Sequence, residues 1–380
     1  MLDKKVGEVE KDGPNNLQAS RKVALRIVKH YAYSLQFSFT HMQVDREGVV
    51  DAIKKYASTY KFQVMDFLAD RCFVLEAIKS AAGAFKFADD KLRVDKDFIR
   101  ESLKRNGLAL KYVGEEFQSN KDFVLEAVKS NGCAFEYANT ELTSDREFVL
   151  EAVKTSGFAL QYVDELLQAD KEIVFHAVKN TGRVLNYASS DLRADREVVY
   201  EAVKNSGLAL YYANTGLRAD RNIILQAVKN HGWALYYAAP HLQADREIVL
   251  AAVKNDGRAF FYADASLRAD PMIIIEAVKG TPSVIQYADA NLLTDRQFAL
   301  EAVNANGMAL EYLGLVFRAD PEVVLEAVKS DSFALKFADV TLREDRQIVL
   351  EAVKKGASVI KYADPCLQND SEILEMISKD

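Results

Sequence analysis

The sequence predicts an all-α protein, an α-solenoid built as a superhelical stack of 25-residue two-helix repeats. The first observation is periodicity, because an Asp, Asn or Ser recurs every 25 residues from Ser20 to Asp370 without one change of spacing. The second is the repeating unit itself, DREVVYEAVKNSGLALYYANTGLRA at residues 195–219, whose apolar residues recur at helical spacing. Such a period is typical of a solenoid, in which each repeat packs mainly against its neighbours.

The repeats define the organisation of the chain. Counting each anchor residue as position zero gives fourteen whole repeats over residues 20–369. Residues 370–380 repeat only the first helix, and we expect this segment to cap the stack. Residues 1–19 are polar and contain a Gly-Pro pair, which predicts a flexible lead-in. Helical order should therefore begin at Ser20.

The first helix of each repeat follows its anchor. Asp, Asn and Ser are good N-cap residues, and Pro271 and Pro321 stand at the first helical position, where proline is tolerated. Apolar residues occupy positions three, four, five, seven and eight, as in Val198, Val199, Tyr200, Ala202 and Val203. They cover about half of the helix circumference, which suits a helix flanked on both sides. Glycine at position twelve, as in Gly207, predicts a left-handed turn that ends the helix.

A second, shorter helix should follow. Position fourteen is small, position fifteen is large and apolar, position seventeen is aromatic in all fourteen repeats and position eighteen is usually Ala. We expect these four positions to form the buried face, so that rings such as Tyr212, Tyr237 and Tyr262 fill the space between repeats. Positions thirteen and sixteen should then face outward. Residues 213–217 are expected to form a turn of 3₁₀ helix, and the apolar residue at position twenty-two to anchor the turn into the next cap.

The alternative fold is a leucine-rich repeat, whose period can also be 25 residues. Its L-x-x-L-x-L spacing is absent from the repeat, which favours helices instead. The pattern D-R-E-x-V-L-E-A-V-K-x-x-G-x-A-L-x-Y-A-x-x-x-L, present at residues 145–167 and 195–217, resembles the tandem repeat catalogued as domain of unknown function 4116. The resemblance extends from about Ser20 to the C-terminus. It supports the fold and implies no catalytic or ligand-binding residues.

The composition and motifs argue against an enzyme. The net charge of −7 is unlike the basic surface of a nucleic-acid-binding protein. P-loop, G-x-S-x-G and dinucleotide motifs are absent, and the acidic residues at positions two and six are interpreted as structural charges. The cysteines are too far apart to pair within one chain: Cys72, Cys133 and Cys366. The histidines lack the spacing of a zinc helix: His30, His41, His176, His231 and His241. We therefore expect no catalytic residue, cofactor or metal.

Hydropathy bears on location. The sequence has no run of eighteen apolar residues, and residues 1–19 lack the apolar centre of a signal peptide. This predicts a soluble, intracellular protein that does not insert into membranes.

One local departure from the repeat predicts a binding surface. Three consecutive repeats carry aromatic residues at position sixteen, where most others have Gln, Lys, Glu or Asn. Together with position thirteen of the same repeats, the predicted partner-binding residues are Leu208, Tyr211, Trp233, Tyr236, Arg258 and Phe261, with His231 at the edge. Aromatic residues and Arg are enriched in binding hot spots. The favoured function is a non-enzymatic repeat protein that binds a protein partner; the alternative is a structural subunit of a larger assembly.

Overall fold

The computed structural model describes residues 15–37 and 67–377. The chain divides into two compact units, Met1–Ser189 and Ser190–Asp380. Within each unit the helices of successive repeats pack against one another, and every regular element in the described residues is helical. The predicted all-α repeat solenoid is therefore confirmed, although each repeat within residues 70–369 has three helical segments rather than two.

Within residues 70–369, each repeat begins with a ten-residue α-helix at positions one to ten, here called helix A. In the first unit these helices are Arg71–Ser80, Lys96–Arg105, Lys121–Ser130, Arg146–Thr155 and Lys171–Asn180. In the second unit they are Arg196–Asn205, Arg221–Asn230, Arg246–Asn255, Pro271–Gly280, Arg296–Ala305, Pro321–Ser330 and Arg346–Lys355. A seven-residue helix, Ser371–Ile377, follows the last repeat, packs against Arg346–Lys355 and buries Ile373.

The second segment, helix B, is a six-residue 3₁₀ helix at positions twelve to seventeen. In the first unit its copies are Ala82–Phe87, Gly107–Tyr112, Gly132–Tyr137, Gly157–Tyr162 and Gly182–Tyr187. In the second unit they are Gly207–Tyr212, Gly232–Tyr237, Gly257–Tyr262, Pro282–Tyr287, Gly307–Tyr312, Ser332–Phe337 and Ala357–Tyr362. A 3₁₀ helix has about three residues per turn, so positions thirteen and sixteen lie on the same side of helix B.

The third segment is a short turn that leads into the next anchor. It is a four-residue α-helix at Asp90–Arg93, Glu115–Gln118, Thr140–Thr143, Glu165–Gln168, Pro240–Gln243, Leu315–Arg318, Val340–Arg343 and Pro365–Gln368. It is a 3₁₀ turn at Leu192–Ala194, Leu217–Ala219, Ala265–Ala269 and Leu292–Thr294. The predicted 3₁₀ turn thus exists, but it lies at Leu217–Ala219 rather than at residues 213–217. The N–H of Asp220 donates to the Leu217 carbonyl oxygen at 3.1 Å, which closes the predicted tight turn.

The first described helix is longer than the repeat pattern predicts. It spans Asn15–Phe37, so helical order begins at Asn15 rather than at Ser20. It also continues through Ala32, where the pattern places a break between two helices. Residues 1–14 and most of the second repeat, together with His41, lie outside the described residues.

The anchor residues cap helix A as predicted. One carboxylate oxygen of Asp245 accepts hydrogen bonds from the backbone N–H groups of Glu247 and Ile248, at 3.0 and 3.1 Å. The other oxygen receives a bond of 3.0 Å from Arg221, at position one of the preceding repeat. The same inter-repeat ion pair recurs as Arg146–Asp170, Arg196–Asp220, Arg246–Asp270 and Arg296–Asp320. The anchor therefore links neighbouring repeats as well as capping its own helix.

The buried face of helix A is narrower than predicted. Positions three, four, seven and eight are fully buried, as in Val198, Val199, Ala202 and Val203. Position five is not, because Tyr200 is 37% exposed and the leucines at this position, apart from the buried Leu75, are half-buried. Four of the five apolar positions of helix A are therefore buried, and position five contributes to the outer surface of the helix.

The glycine at position twelve does not form a left-handed turn. Helix A ends at an extended residue, Ser206, with φ of −143°, and Gly207 opens helix B. The reason for glycine is close approach between repeats. A Cβ atom at Gly232 would lie 2.6 Å from the carbonyl oxygen of Ala252 in the next repeat, which is closer than real contacts allow. Glycine is therefore required at position twelve as predicted, but for close packing between repeats and not for a left-handed turn.

We expect the ion pairs at the anchors to make the fold sensitive to acid. The hydrogen bond from Arg296 holds the pKa of Asp320 below its usual value, although partial burial acts in the opposite direction. A depressed folded-state pKa stabilises the fold above the unfolded pKa of about 4, and that contribution is lost as the pH falls through the folded value. Arg296→Gln should therefore lower the melting temperature slightly near pH 7 and less near pH 3.5, measured by circular dichroism. An equal loss at both pH values would contradict this linkage.

Candidate functional site

An aromatic surface occupies consecutive repeats of the second unit. The three aromatic residues at position sixteen are exposed as predicted: Tyr211 by 53%, Tyr236 by 59% and Phe261 by 46%. These side chains face solvent because the opposite side of helix B is buried, where Ala209 and Leu210 have no exposed surface. The sequence therefore located these side chains on the correct face.

Side chains at position twenty-three hold the exposed end of helix B in place. Arg218 donates from Nε to the carbonyl oxygen of Ala213 at 3.1 Å, and from Nη2 to that of Tyr211. In the next repeat, the Gln243 amide donates to the carbonyl oxygen of Tyr236 at 3.4 Å. These bonds satisfy backbone acceptors at the end of the short helix and fix the backbone that carries each ring.

The tyrosines at position seventeen belong to the same surface. They are half-buried rather than filling the core, which corrects the prediction for Tyr212, Tyr237 and Tyr262. Each exposed ring packs on the position-seventeen ring of the following repeat. The centroid distance is 5.3 Å from Tyr211 to Tyr237 and 5.1 Å from Tyr236 to Tyr262. The rings therefore form a ladder that continues from one repeat to the next.

Phe261 makes the same contact one repeat further on, with its centroid 5.1 Å from that of Tyr287. Ring contacts join Tyr211, Trp233 and Tyr236 into one cluster through Tyr237 and Tyr262, whereas Phe261 and Tyr287 form a separate pair. We define the aromatic surface as Leu208, Tyr211, Tyr212, Trp233, Tyr236, Tyr237, Arg258, Phe261, Tyr262 and Tyr287. Among these, Leu208 is half-buried and adds an aliphatic side chain at the N-terminal end.

Trp233 is held by three neighbours rather than standing free in water. It is 36% exposed, and its ring lies edge-to-face with Tyr262 at 5.6 Å. Its Nε1–H donates to Oδ2 of Asp256 at 2.9 Å. The Arg258 guanidinium carbon lies 5.2 Å from the indole centroid, a cation–π contact. The predicted solvent-facing side chain is thus partly covered and fixed in orientation.

Asp256 organises this part of the surface. It accepts bonds from Arg258 at 3.0 and 2.8 Å in addition to the one from Trp233. The hydrogen bond from Arg258 is the largest influence lowering the pKa of the Asp256 carboxyl, and partial burial opposes it. The carboxylate is therefore ionised at neutral pH and keeps Arg258 over the indole ring.

Comparison with known families identifies the repeat. Seven segments of the chain match the model of a family described as Domain of unknown function (DUF4116), at residues 70–113, 95–143, 145–193, 195–243, 245–293, 295–343 and 345–379. The chain belongs to this family. A full match such as 195–243 spans two 25-residue repeats, and the matches begin at residue 70 rather than near Ser20. No curated protein and no solved structure gives a significant match to the chain.

Sequence reasoning missed four tyrosines of the aromatic surface, Tyr212, Tyr237, Tyr262 and Tyr287, and also Asp256, which bonds to Trp233 and Arg258. An aromatic residue occurs at position seventeen of every repeat, so its identity alone carried no signal. The useful signal was spacing, because Tyr237, Tyr262 and Tyr287 each lie 26 residues after an exposed aromatic residue at position sixteen and pack on it. His231 ends helix A directly before this surface and is half-buried.

The chemistry of the DUF4116 repeats outside this surface is limited. Across the described part of the chain, His, Cys, Asp and Glu form no group of three or more that could hold a metal ion. The three cysteines are free thiols: Cys72, Cys133 and Cys366. No helix in residues 15–37 or 67–377 is both long and apolar enough to cross a membrane.

Proposed function

We propose that this chain is a non-enzymatic helical-repeat protein that binds a protein partner through the aromatic surface. The observation that carries the proposal is a set of exposed rings held in fixed orientations by packing on the next repeat. Exposed apolar side chains that lie together on a surface usually mark an interaction site. Rings that are already ordered lose little conformational entropy on binding, which favours affinity.

The residue types favour a protein as the partner. Trp, Tyr and Arg are the residues most enriched in protein-binding hot spots, and all three meet where Arg258 covers Trp233 beside Tyr262. The tyrosine hydroxyl groups add hydrogen-bonding capacity to an apolar surface, as is common in interfaces. Acidic anchors are engaged in helix caps and ion pairs, as at Asp245, which supports a binding rather than a catalytic role.

The test is affinity capture followed by quantitative binding. The wild-type chain, the double variant Tyr211→Ala/Tyr236→Ala and the control Phe158→Ala should be compared as baits in extracts of the source organism. Phe158 is an exposed Phe outside the aromatic surface, so it controls for loss of an exposed ring. Partners that depend on Tyr211 and Tyr236 are then purified and titrated. We expect the double variant to bind them roughly tenfold more weakly or worse, with folding unchanged.

Trp233 provides a second readout, because it is the only Trp in the chain. Partner binding at the aromatic surface should shift its emission to shorter wavelength and protect it from acrylamide. If every captured partner binds the double variant as tightly as the wild type, the aromatic surface is not the binding site. Stoichiometric copurification in a large particle, unaffected by the double variant, would instead favour a structural subunit.

A further inference from the structure

A groove on the outer side of helix A lies in the same two repeats that carry Trp233 and Arg258. It has a volume of about 450 Å³ and is lined by Leu225, Lys229, Leu250, Ala251 and Lys254, among others. The two leucines stand at position five, the partly exposed position described above. The two lysines are exposed. We call this feature the lysine groove.

Charge pairing on helix A changes at the lysine groove. In four other repeats of the second unit, the Lys at position nine pairs with the Glu three residues earlier, as at Lys279–Glu276 and Lys329–Glu326, at 2.8 and 2.7 Å. The fifth has Asn304 at position nine. In the two repeats of the groove, position six is Gln226 and Ala251 instead. Lys229 and Lys254 keep their positive charges without that carboxylate.

No other carboxylate in the described structure replaces the missing partners. Neither Lys229 nor Lys254 forms an ion pair within residues 15–37 and 67–377. Glu247, which also lines the groove, is bonded to Arg221. In a chain of net charge −7, this site is a local excess of positive charge above an apolar floor.

The lysine groove is continuous with the aromatic surface. A second groove, of about 570 Å³, shares Lys254 with the first and is also lined by Asp256 and Arg258. Both carboxylates of this second groove are occupied, because Asp256 is bonded to Arg258 and Trp233, and Glu276 is paired with Lys279 at 2.8 Å. One extended ligand can therefore reach from the rings to both lysines.

We propose that the partner presents an acidic peptide segment to this site, an inference that rests on the proposed function. Carboxylates of the segment pair with Lys229 and Lys254, its aliphatic carbons cover Leu225 and Leu250, and an adjoining apolar residue packs on the aromatic surface. Neighbouring helices pack about 8 to 10 Å apart. An extended chain advances about 3.3 Å per residue, so the two acidic residues should lie two or three positions apart.

The test is selection from a displayed library of random peptides on the intact wild-type chain. We expect enriched sequences to contain paired Asp or Glu next to an aromatic or aliphatic residue. A fluorescein-labelled selected peptide should bind Lys229→Gln/Lys254→Gln roughly tenfold more weakly, measured by anisotropy. The control Lys329→Gln/Lys354→Gln removes the same charge from lysines that are paired with Glu326 and Glu351 and line neither groove, and it should bind like the wild type.

The outcomes separate this proposal from the proposed function. In one outcome, the selected peptides bind Tyr211→Ala/Tyr236→Ala more weakly than the wild type but bind Lys229→Gln/Lys254→Gln as tightly as the wild type. That result would overturn the proposal of an acidic segment and leave the aromatic surface as a binding site. Equal losses in both lysine double variants would mean non-specific attraction and would also overturn it. Enrichment of peptides without acidic residues, or stronger binding of a single-stranded oligonucleotide than of any peptide, would overturn it as well. A selection that Lys229→Glu/Lys254→Glu redirects toward basic peptides would support it.

Discussion

Gly157→Ala should destabilise the protein by about 3 kcal/mol, because the added methyl group has no room. A Cβ atom at Gly157 would lie 2.5 Å from the carbonyl oxygen of Ala177 and 3.0 Å from Cβ of Thr181, both in the next repeat. The obstructing oxygen belongs to the backbone of helix A, so it cannot rotate away as a side chain can. Neighbouring repeats would have to separate, and each depends on that contact for its buried surface.

Gly314→Ala is the matched control. Gly314 has φ of −60°, and a Cβ there would meet nothing within 4 Å. The free energy of unfolding of the Gly314→Ala variant should differ from that of the wild type by no more than about 0.5 kcal/mol. Urea denaturation would compare the two variants, and hydrogen exchange would show whether the loss is centred on residues 146–187. Equal stability of Gly157→Ala and Gly314→Ala would mean that close approach does not require glycine.

Asn230→Ala should cost about 2 kcal/mol by leaving backbone groups without partners. The Asn230 side chain accepts a hydrogen bond of 2.7 Å from the N–H of Gly207 and donates one of 3.2 Å to the carbonyl oxygen of Lys204. Both groups belong to the junction between helix A and helix B of the preceding repeat. One side chain at position ten thus satisfies a donor and an acceptor that the ends of two helices leave free.

Asn230→Ser is the control that the chain itself suggests. Ser130 and Ser330 occupy the same position in other repeats and make both bonds. The Ser130 hydroxyl accepts from the N–H of Gly107 at 3.1 Å and donates to the carbonyl oxygen of Lys104 at 3.2 Å. Asn230→Ser should therefore retain most of the stability lost in Asn230→Ala, as measured by urea denaturation. If both variants lose the same amount, the side-chain bridge is not what stabilises the junction.

The fold was largely predictable because its signals are local and repeated. An anchor such as Asp195, an apolar helical pattern and a fixed period each specify a feature that depends on nearby residues. The roles that depend on the next repeat were not predictable in the same way. Gly157 was expected to bend the chain, whereas it admits a neighbouring carbonyl group. The bridging role of Asn230 also becomes visible only once its distance to the preceding repeat is known.

The candidate site was predictable to a similar extent. Exposure of Tyr211 and Tyr236 followed from counting positions, because the opposite face of helix B was recognisably apolar. The half-buried state of Tyr237 did not follow, since an aromatic residue present in every repeat resembles core. The partners of Trp233 were also missed, because Asp256 lies in the next repeat and no sequence pattern places it beside the indole.

The junction geometry explains why the repeat length never varies. Asn214 donates its backbone N–H to the carbonyl oxygen of Arg193 at 2.9 Å, and Ala239 does the same to Arg218 one repeat later. A single inserted residue in helix A would rotate everything after it by about 100° and carry these donors away from their acceptors. Duplication of a whole unit, in contrast, reproduces every junction intact. The number of repeats can therefore change by duplication of whole units, whereas the length of each repeat is fixed by its contacts with the neighbouring repeats.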